Sequence, residues 1–444
     1  MGTFLLSQIR ITKLFGELNH TIPLREGGVT FIHGPNGCGK TTVLRLISAV
    51  FGWDPATLFE THFATLEFDN SDGSTFFVEK TFKETEKPEK PIPSLGFGIR
   101  GNPDHQFTFS RDATDVRFPM SEVEEILPFL VRVGAREWID RNTGMRVEYQ
   151  DLIERYIDKL PHFSRKKRPD WLVQYIARLN LHFIKTQRLL RVDYSAMRRH
   201  RPEEVSVTDV IQIYSSEIKE LISKKLAEQA AVSQLHDRSF PERLLSLTMD
   251  DSVSEEQIRH LYTETENKIQ RLVEAGLIDK QKNISLPVKS LEDTERRVLS
   301  LYLQDVNKKL GVFDELQKKI EAFLEVIGPK LRTKRFSVNR IDGFSIESIH
   351  RPDERLKPSQ LSSGEQHQIV LFYELIFKAD SNSFFLVDEP EISLHVDWQR
   401  RFLGDIHKIA TLGDRHFLIA THSPQIIGSH RDLAIALDEG ILDD

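Results

Sequence analysis

The chain is short of several things, and each shortage excludes a class of protein. It has one cysteine, Cys38, in 444 residues, so no internal disulfide braces it and no multi-cysteine metal site forms. No apolar run approaches the ~20 residues of a membrane-spanning helix, and no membrane contact is expected. The N-terminus lacks the succession of basic region, apolar stretch and small-residue cleavage site, so no secretory signal is expected and the expected location is cytoplasmic. There is no sequence repeat and no low-complexity tract. Nor is there an excess of positive charge: 60 Lys and Arg against 67 Asp and Glu give a net −7, which argues against a uniformly basic nucleic-acid binder. The basic residues are uneven, however. They crowd between Arg165 and Arg201 with few acids among them, a composition that suits phosphate contact and equally suits a solvated face. A hydrophobic share of 39% beside 29% charged residues leaves a globular chain with a substantial core.

The strongest positive feature is Gly34-Pro35-Asn36-Gly37-Cys38-Gly39-Lys40-Thr41-Thr42. It follows the apolar run Val29–Ile32 and precedes the helical pattern Val43, Leu44, Leu46, Ile47. This is G-x-x-x-x-G-K-T between strand and helix, the setting of a phosphate-binding loop. Glycines let successive backbone N–H groups turn toward one point, and the helix start adds free donors and the positive end of its dipole. Lys40 is expected to reach the β- and γ-phosphates, and the Thr41 hydroxyl to ligate Mg²⁺. Cys38 within this loop needs no role beyond that of a small side chain.

Three C-terminal segments complement the loop. Phe384–Val387 reads as a buried parallel strand ending in Asp388 and Glu389. Ligands sit at such strand ends in open α/β sheets. Asp388 is expected to hold the Mg²⁺ shell opposite Thr41, and Glu389 to polarise a water for attack on the γ-phosphate. A second apolar run, Phe417–Ala420, leads into Thr421-His422-Ser423-Pro424. Serine as cap and proline at the first helical position explain Ser423 and Pro424 but not His422, which is expected at the γ-phosphate or the attacking water. Finally, Leu361-Ser362-Ser363-Gly364-Glu365-Gln366 opens a helix. A capping box accounts for the serine and the acid, and a second anion site at the helix start is the functional reading.

The rest of the chain gives the architecture. Strands are expected over 4–13, 18–24 and 29–33, a helix over 40–50, and a hairpin over 61–69 and 74–82 across Asp72-Gly73. Residues 84–118 read as irregular and 121–180 as mainly helical, with a strand at 181–184. Residues 205–328 read as short packed helices, with Ile218, Leu221, Ile222 and Leu226 on one face and Val306, Leu310, Phe313, Leu316 and Ile320 on another. Strands return at 335–338 and 344–349. The last hundred residues alternate apolar runs with helical patterns, which implies a largely parallel sheet. The expected division is a core over 1–85, a mainly helical insertion over 86–334, and the remainder of the core over 335–444.

Together the four motifs resemble those of the ABC-type ATPases. Gly34–Thr42 matches Walker A, Leu361–Glu365 the signature, Asp388-Glu389 Walker B with its catalytic base, and His422 the switch histidine. Ser363 and Glu365 depart from the commonest signature. The resemblance implies an α/β fold: an ABC-type P-loop core, a mixed sheet flanked by helices. Ser362 follows Lys40 by 322 positions, a spacing similar to the SMC, RecF and OLD group. The insertion is short for an SMC arm, and the chain stops where OLD nucleases continue into a Toprim domain. Phe183–Leu189, Asp388–His395 and Thr421–Pro424 are most similar to the ATPase subunits of antiviral systems such as PARIS, Septu and the retron-linked ATPases. The resemblance implies ATP and Mg²⁺ as ligands, with Ser362, Ser363, Gly364 and Glu365 contacting nucleotide across a homodimer or higher homo-oligomer. It implies Gln187 as a further link to Mg²⁺ and a separately encoded effector, a nuclease, as partner. The adenine contact is not identified by the sequence, and Phe15 is a candidate for it. A RecF-like DNA repair ATPase and a nucleotide-dependent scaffold with little turnover stay open as alternatives.

Overall fold

Runs with no polar alternation suit strands covered on both faces, and Val29–Ile32, Phe384–Val387 and Phe417–Ala420 lie side by side in a parallel sheet. The computed structural model describes residues 6–83, 92–110, 168–186, 190–192, 207–246, 253–279, 290–351, 355–379, 382–392 and 394–437, with short pieces at 123, 127, 129–134, 137–140, 146–148, 152 and 286. In chain order the strands are β1 (Leu6–Leu14), β2 (Leu18–Pro23), β3 (Val29–His33), β4 (Thr65–Asn70), β5 (Thr75–Lys83), β6 (Ile92–Ile99), β7 (Asn102–Ser110), β8 (Leu130–Arg132), β9 (Glu137–Asp140), β10 (Arg146–Glu148), β11 (Asn180–Ile184), β12 (Leu190–Val192), β13 (Val207–Asp209), β14 (Lys334–Asn339), β15 (Gly343–Ser348), β16 (Arg355–Leu356), β17 (Ser383–Asp388), β18 (His416–Ala420) and β19 (Ala434–Ala436). The helices are α1 (Lys40–Phe51), α2 (Pro55–Glu60), α3 (Asp170–Ala177), α4 (Val210–Leu245), α5 (Glu255–Glu274), α6 (Asp293–Gly311), α7 (Asp314–Ile327), α8 (Ser363–Phe377), α9 (Val396–Ala410) and α10 (Pro424–Ile427).

The chain forms two units. The first comprises Met1–Gln187, Val192–Val207 and Ala379–Asp444. Its parallel sheet has the order β11-β17-β18-β3-β19, and its antiparallel sheet the order β2-β1-β4-β5-β6-β7. Asp388 pairs with Ala420, and Ala420 with Ile32, so β17, β18 and β3 end level with one another. Helix α1 has apolar residues nearly all round, and it is buried accordingly. Leu44, Ile47 and Val50 share one core with Ile9, Phe68 and Phe76 of the antiparallel sheet and with Leu386 and Leu418 of the parallel sheet. The second unit comprises Arg188–Arg191 and Thr208–Lys378. It holds α4 to α8 and a small sheet β14-β15-β16. Tyr214 stacks on Tyr373 at 4.3 Å between ring centroids, and Phe323, Phe336 and Phe344 pack beside them.

The α/β core flanked by helices is as expected, its strands divided between a parallel and an antiparallel sheet where one mixed sheet was expected, and three further readings of the sequence need correction. Within 84–118, taken as irregular, β6 and β7 form a hairpin that extends the antiparallel sheet. Its core face, Leu95, Phe97, Phe107 and Phe109, is broken up in sequence by Gly96, Gly98, Gly101 and Pro103, which obscures the alternation. Within 121–180, taken as mainly helical, the described residues include three short strands, β8 to β10, and the eight-residue α3. The expected boundary at residue 335 falls inside the second unit. The second unit runs on to Lys378, because α8 packs against α7 and α4. The helices are also not uniformly short: α4 spans 36 residues. Its buried residues, Val210, Ile211, Tyr214, Ser215, Ile218 and Ile222, all lie in its first half, so its buried face ends long before the helix does.

Candidate nucleotide site

The first unit assembles the site from strand ends. The loop after β3 turns into α1 at Gly39, whose φ is +90°, a conformation that a side chain disfavours. A Cβ there would also meet Leu14 Cδ2 at 2.7 Å. Pro35, Asn36 and Gly37 form the exposed crown of the loop, and Cys38 is buried beneath it. Lys40, only 5% exposed, folds back over the loop. Its Nζ donates to Gly34 O and Pro35 O, each at 2.9 Å, and lies 3.7 Å from Cys38 Sγ. Among the described residues no carboxylate pairs with this ammonium, and its hydrogen-bond partners are two neutral carbonyls and a thiol. An anionic oxygen is the stronger partner for it. Beneath the loop, His20 of β2 holds the Cys38 carbonyl through Nε2 at 2.8 Å. Burial pushes its imidazole below the ordinary value, against the raising effect of that carbonyl, and so favours the neutral ring. No local pattern singles out His20. Phe15, half exposed with φ +57°, stands beside Gly39.

Asp388 ends β17 and is 4% exposed. Thr41 Oγ1, at the start of α1, donates to its Oδ1 at 3.0 Å. Thr186 Oγ1, just past β11, donates to its Oδ2 at 3.1 Å. Two hydroxyls and a carboxylate converge from three separate stretches of chain. Hard oxygen donors of this kind, beside a phosphate loop, fit Mg²⁺ retaining several waters. Gln187, the expected further link, lies outside the described residues, and its neighbour Thr186 makes the contact to Asp388. The sequence signal for Thr186 is its place after a parallel strand that pairs with β17. Thr186→Val frees one oxygen of Asp388 and is expected to weaken Mg²⁺-dependent nucleotide binding about tenfold, read from Mg²⁺ titrations by calorimetry. Unchanged Mg²⁺ dependence would remove Thr186 from the site.

Glu389 follows with φ +43°, a strained setting for a non-glycine residue. Its N–H donates to Ala420 O at 2.9 Å, which fixes it to the end of β18. That turn aims its carboxylate at His422, with Oε1 at 3.4 Å from Nε2. Sequence reasoning therefore named both members of this pair. It did not weigh Glu391, whose Oε1 accepts from the Thr421 hydroxyl and from the backbone N–H groups of His422 and Ser423. Ser423 caps α10, accepting from Gln425 N–H at 3.2 Å, and His395 caps α9.

The Ser362–Glu365 segment belongs to the second unit. Ser362 caps α8 in a reciprocal box: its hydroxyl accepts from the Glu365 N–H, and its own N–H donates to Glu365 Oε2 at 2.8 Å. Ser362 and Ser363 are exposed and Gly364 is half-buried, so this helix start is open to a ligand. The Glu365 side chain turns the other way. It is 8% exposed and takes Lys334 Nζ at 2.7 Å and 2.9 Å. Its expected contact with nucleotide therefore gives way to a structural one that sets the Ser362 turn. Burial alone would raise its carboxyl, but Lys334 and both Ser362 donors outweigh that and hold it below its ordinary 4.5. A carboxyl lowered on folding stabilises the fold above its unfolded pKa, and that contribution is lost as the pH falls through the lowered value. Glu365→Gln is expected to lower Tm at pH 7 and to flatten the fall in Tm as the pH drops below 4.5, both read by thermal melts. An identical acid limb in the variant would contradict this.

Of the basic stretch from Arg165 to Arg201, Arg168, Arg178 and Lys185 are the members whose side chains are described. Arg168 stacks over Trp53 at 4.9 Å from the ring centroid. The expected nucleic-acid surface thus falls largely on residues outside the description. No helix among the described residues is long and apolar enough to cross a membrane.

A stretch of 124 residues is 32% identical to UvrABC system protein A of Oceanobacillus iheyensis, covering 28% of this chain and 12% of that protein's length. The Smc head domain of Pyrococcus furiosus, crystallised with an extended coiled coil and the C-terminal domain of ScpA, aligns over 99% of this chain and 95% of its own, at 13% identity and a TM-score of 0.36. The SMC head domain from Thermotoga maritima aligns over 97% and 92%, at 12% identity and a TM-score of 0.31. A family model described as an AAA ATPase domain matches residues 6–427. The match takes in the phosphate loop, the Asp388 strand end and His422, and the chain belongs to this family of P-loop ATPases.

Proposed function

We propose that this chain binds ATP with Mg²⁺, hydrolyses it to ADP and phosphate, and closes as a homodimer around the nucleotide. One observation carries the reading: Thr41 bonds to Asp388 at 3.0 Å, and the next residue, Glu389, stands 3.4 Å from His422. A cation-binding corner and an acid–histidine pair thus share one sheet end with a phosphate loop. Mg²⁺, when bound, would neutralise charge on the β- and γ-oxygens. The residues divide the remaining work. Loop N–H groups and Lys40 bind the phosphates. Thr41 and Asp388, oriented by Thr186, hold the metal's shell. Glu389 takes the proton from a water as its oxygen bonds to the γ-phosphorus and the bond to the β–γ bridging oxygen breaks. His422 orients that water or a γ-oxygen. Phe15 is the candidate platform for adenine.

The exposed Ser362–Gly364 helix start suits a γ-phosphate presented by a second copy. A γ-phosphate contacted from both sides favours the closed state by its differential affinity. The helices of the second unit would relay that change to a separately encoded effector, a nuclease in the antiviral reading that the motifs resemble. Light scattering tests the dimer: a non-hydrolysable ATP analogue with Mg²⁺ is expected to drive the chain from monomer toward dimer, and ADP is not. A mass that never responds to the analogue would sink the closure mechanism. Stimulation of ATPase by plain DNA would favour DNA repair over effector control.

A further inference from the structure

We infer that Glu391 is the positioning residue for His422, acting on the backbone that carries the imidazole. The inference rests on the hydrolytic reading above. Glu391 lies three residues past the end of β17, and one of its oxygens does unusual duty. Oε1 accepts from the Thr421 hydroxyl at 2.8 Å, from the His422 N–H at 2.6 Å and from the Ser423 N–H at 3.2 Å. Thr421 is fully buried, and its own N–H donates to Ile32 O of β3 at 3.1 Å. The Thr421 hydroxyl also accepts from the Ser423 N–H at 3.0 Å. Three consecutive residues leaving β18 are therefore gathered around a single anionic atom. Successive N–H groups turned to one point make a small anion nest, and here the anion is a side chain of the same unit. Charge-assisted bonds of this kind are the strong ones.

The effect is felt at the ring. With the His422 backbone tied, only two side-chain torsions remain to set Nε2, and it lies 3.4 Å from Glu389 Oε1. Glu389 meets the imidazole and Glu391 meets the N–H of the same residue. Capping of α10 does not need Glu391, because Ser423 supplies the cap with its own hydroxyl. Nor is the placement a comfortable structural choice. Glu391 Oε2 is buried with no hydrogen-bond partner among the described residues, a cost that a purely architectural side chain would avoid. Geometry at His422 is what the arrangement secures.

The test uses the full chain and four variants: Glu391→Ala, Glu391→Gln, His422→Ala and the Glu391→Ala/His422→Ala pair. Glu391→Ala is expected to lower kcat for ATP by about tenfold to a hundredfold while KM moves little. Glu391→Gln keeps an oxygen that can accept from the same three donors and is expected to recover most of the rate. The double variant is expected to be no slower than His422→Ala alone, because a residue that acts through His422 has nothing left to act on. Additive losses, or a KM effect with kcat unchanged, would overturn the assignment. Histidine side-chain NMR reads the geometry without turnover. The His422 signals, assigned by their loss in His422→Ala, are expected to move in Glu391→Ala and to stay in Glu391→Gln. Signals that do not move in Glu391→Ala overturn the proposal. Signals that move in a protein without ATPase activity overturn the hydrolytic reading instead and leave the positioning intact. Glu391→Asp, one carbon shorter, replaces the alanine variant if thermal melts show that it does not fold.

Discussion

Glu389→Gln is expected to bind ATP with Mg²⁺ about as tightly as the unaltered chain and to hydrolyse it roughly 10²- to 10⁴-fold more slowly, the usual contribution of a positioned general base. The substitution is nearly isosteric. The Glu389 N–H still donates to Ala420 O at 2.9 Å, so the turn with φ +43° is retained. The phosphate loop, Thr41 and Asp388 are untouched, and with them the groups proposed to hold nucleotide and metal. What is lost is the carboxylate 3.4 Å from His422 Nε2 that is proposed to accept the proton. Binding and chemistry therefore separate in this variant. If dimer closure depends on an intact γ-phosphate, the variant stays closed after ATP is added, and light scattering shows a persistent dimer where the unaltered chain returns to monomer. Single-turnover hydrolysis gives the chemical step, and calorimetry gives the affinity. Turnover at the unaltered rate would remove Glu389 from its role. A large loss of affinity would mean that the residue builds the pocket and does not act in the reaction.

The site was legible wherever chemistry is written locally. Gly34 to Thr42 carries its own geometry, because the glycines, the lysine and the following helix are contiguous. Asp388, Glu389 and His422 were legible because each ends a run of apolar residues that a buried parallel strand requires. Thr186 and His20 were not, since their roles appear only when β11 is paired with β17, and β2 is placed under the loop. Glu391 falls within Asp388–His395, but its partners are Thr421 to Ser423, thirty positions further along the chain. Glu365 misled for the opposite reason. A capping box and a ligand-binding helix start are written with the same residues, and only Lys334, on another strand, decides which way the carboxylate turns. In the fold, the β6–β7 hairpin was hidden by glycines that interrupt its alternation, and the length of α4 by the end of its buried face at Ile222. Each miss is a case where a distant contact settles what the local pattern leaves open.

Lys40→Ala is expected to weaken ATP binding about a hundredfold, in line with the ~3 kcal/mol upper range for a hydrogen bond to a charged group. The ammonium is almost buried, yet its partners are two backbone carbonyls and a thiol. A cation so weakly compensated gains most when phosphate oxygens arrive, and this makes its contribution to affinity large relative to its contribution to folding. Lys40→Met separates the two. It keeps most of the side-chain stem in a pocket that is 5% exposed and removes only the charge and its donors. Its Tm is expected to stay within a few degrees of the unaltered chain, since Pro35 is an exposed residue and water can take the lysine's place at its carbonyl, while its ATP affinity falls as far as that of Lys40→Ala. Lys40→Arg is not expected to rescue binding, because a planar fork cannot replace a compact point charge within the curl of the loop. Calorimetric titration with ATP and Mg²⁺, beside a thermal melt of each variant, gives both quantities. Affinity retained within about threefold in Lys40→Met would show that the backbone N–H groups alone hold the phosphates, and the lysine would then be a structural tie across Gly34 and Pro35.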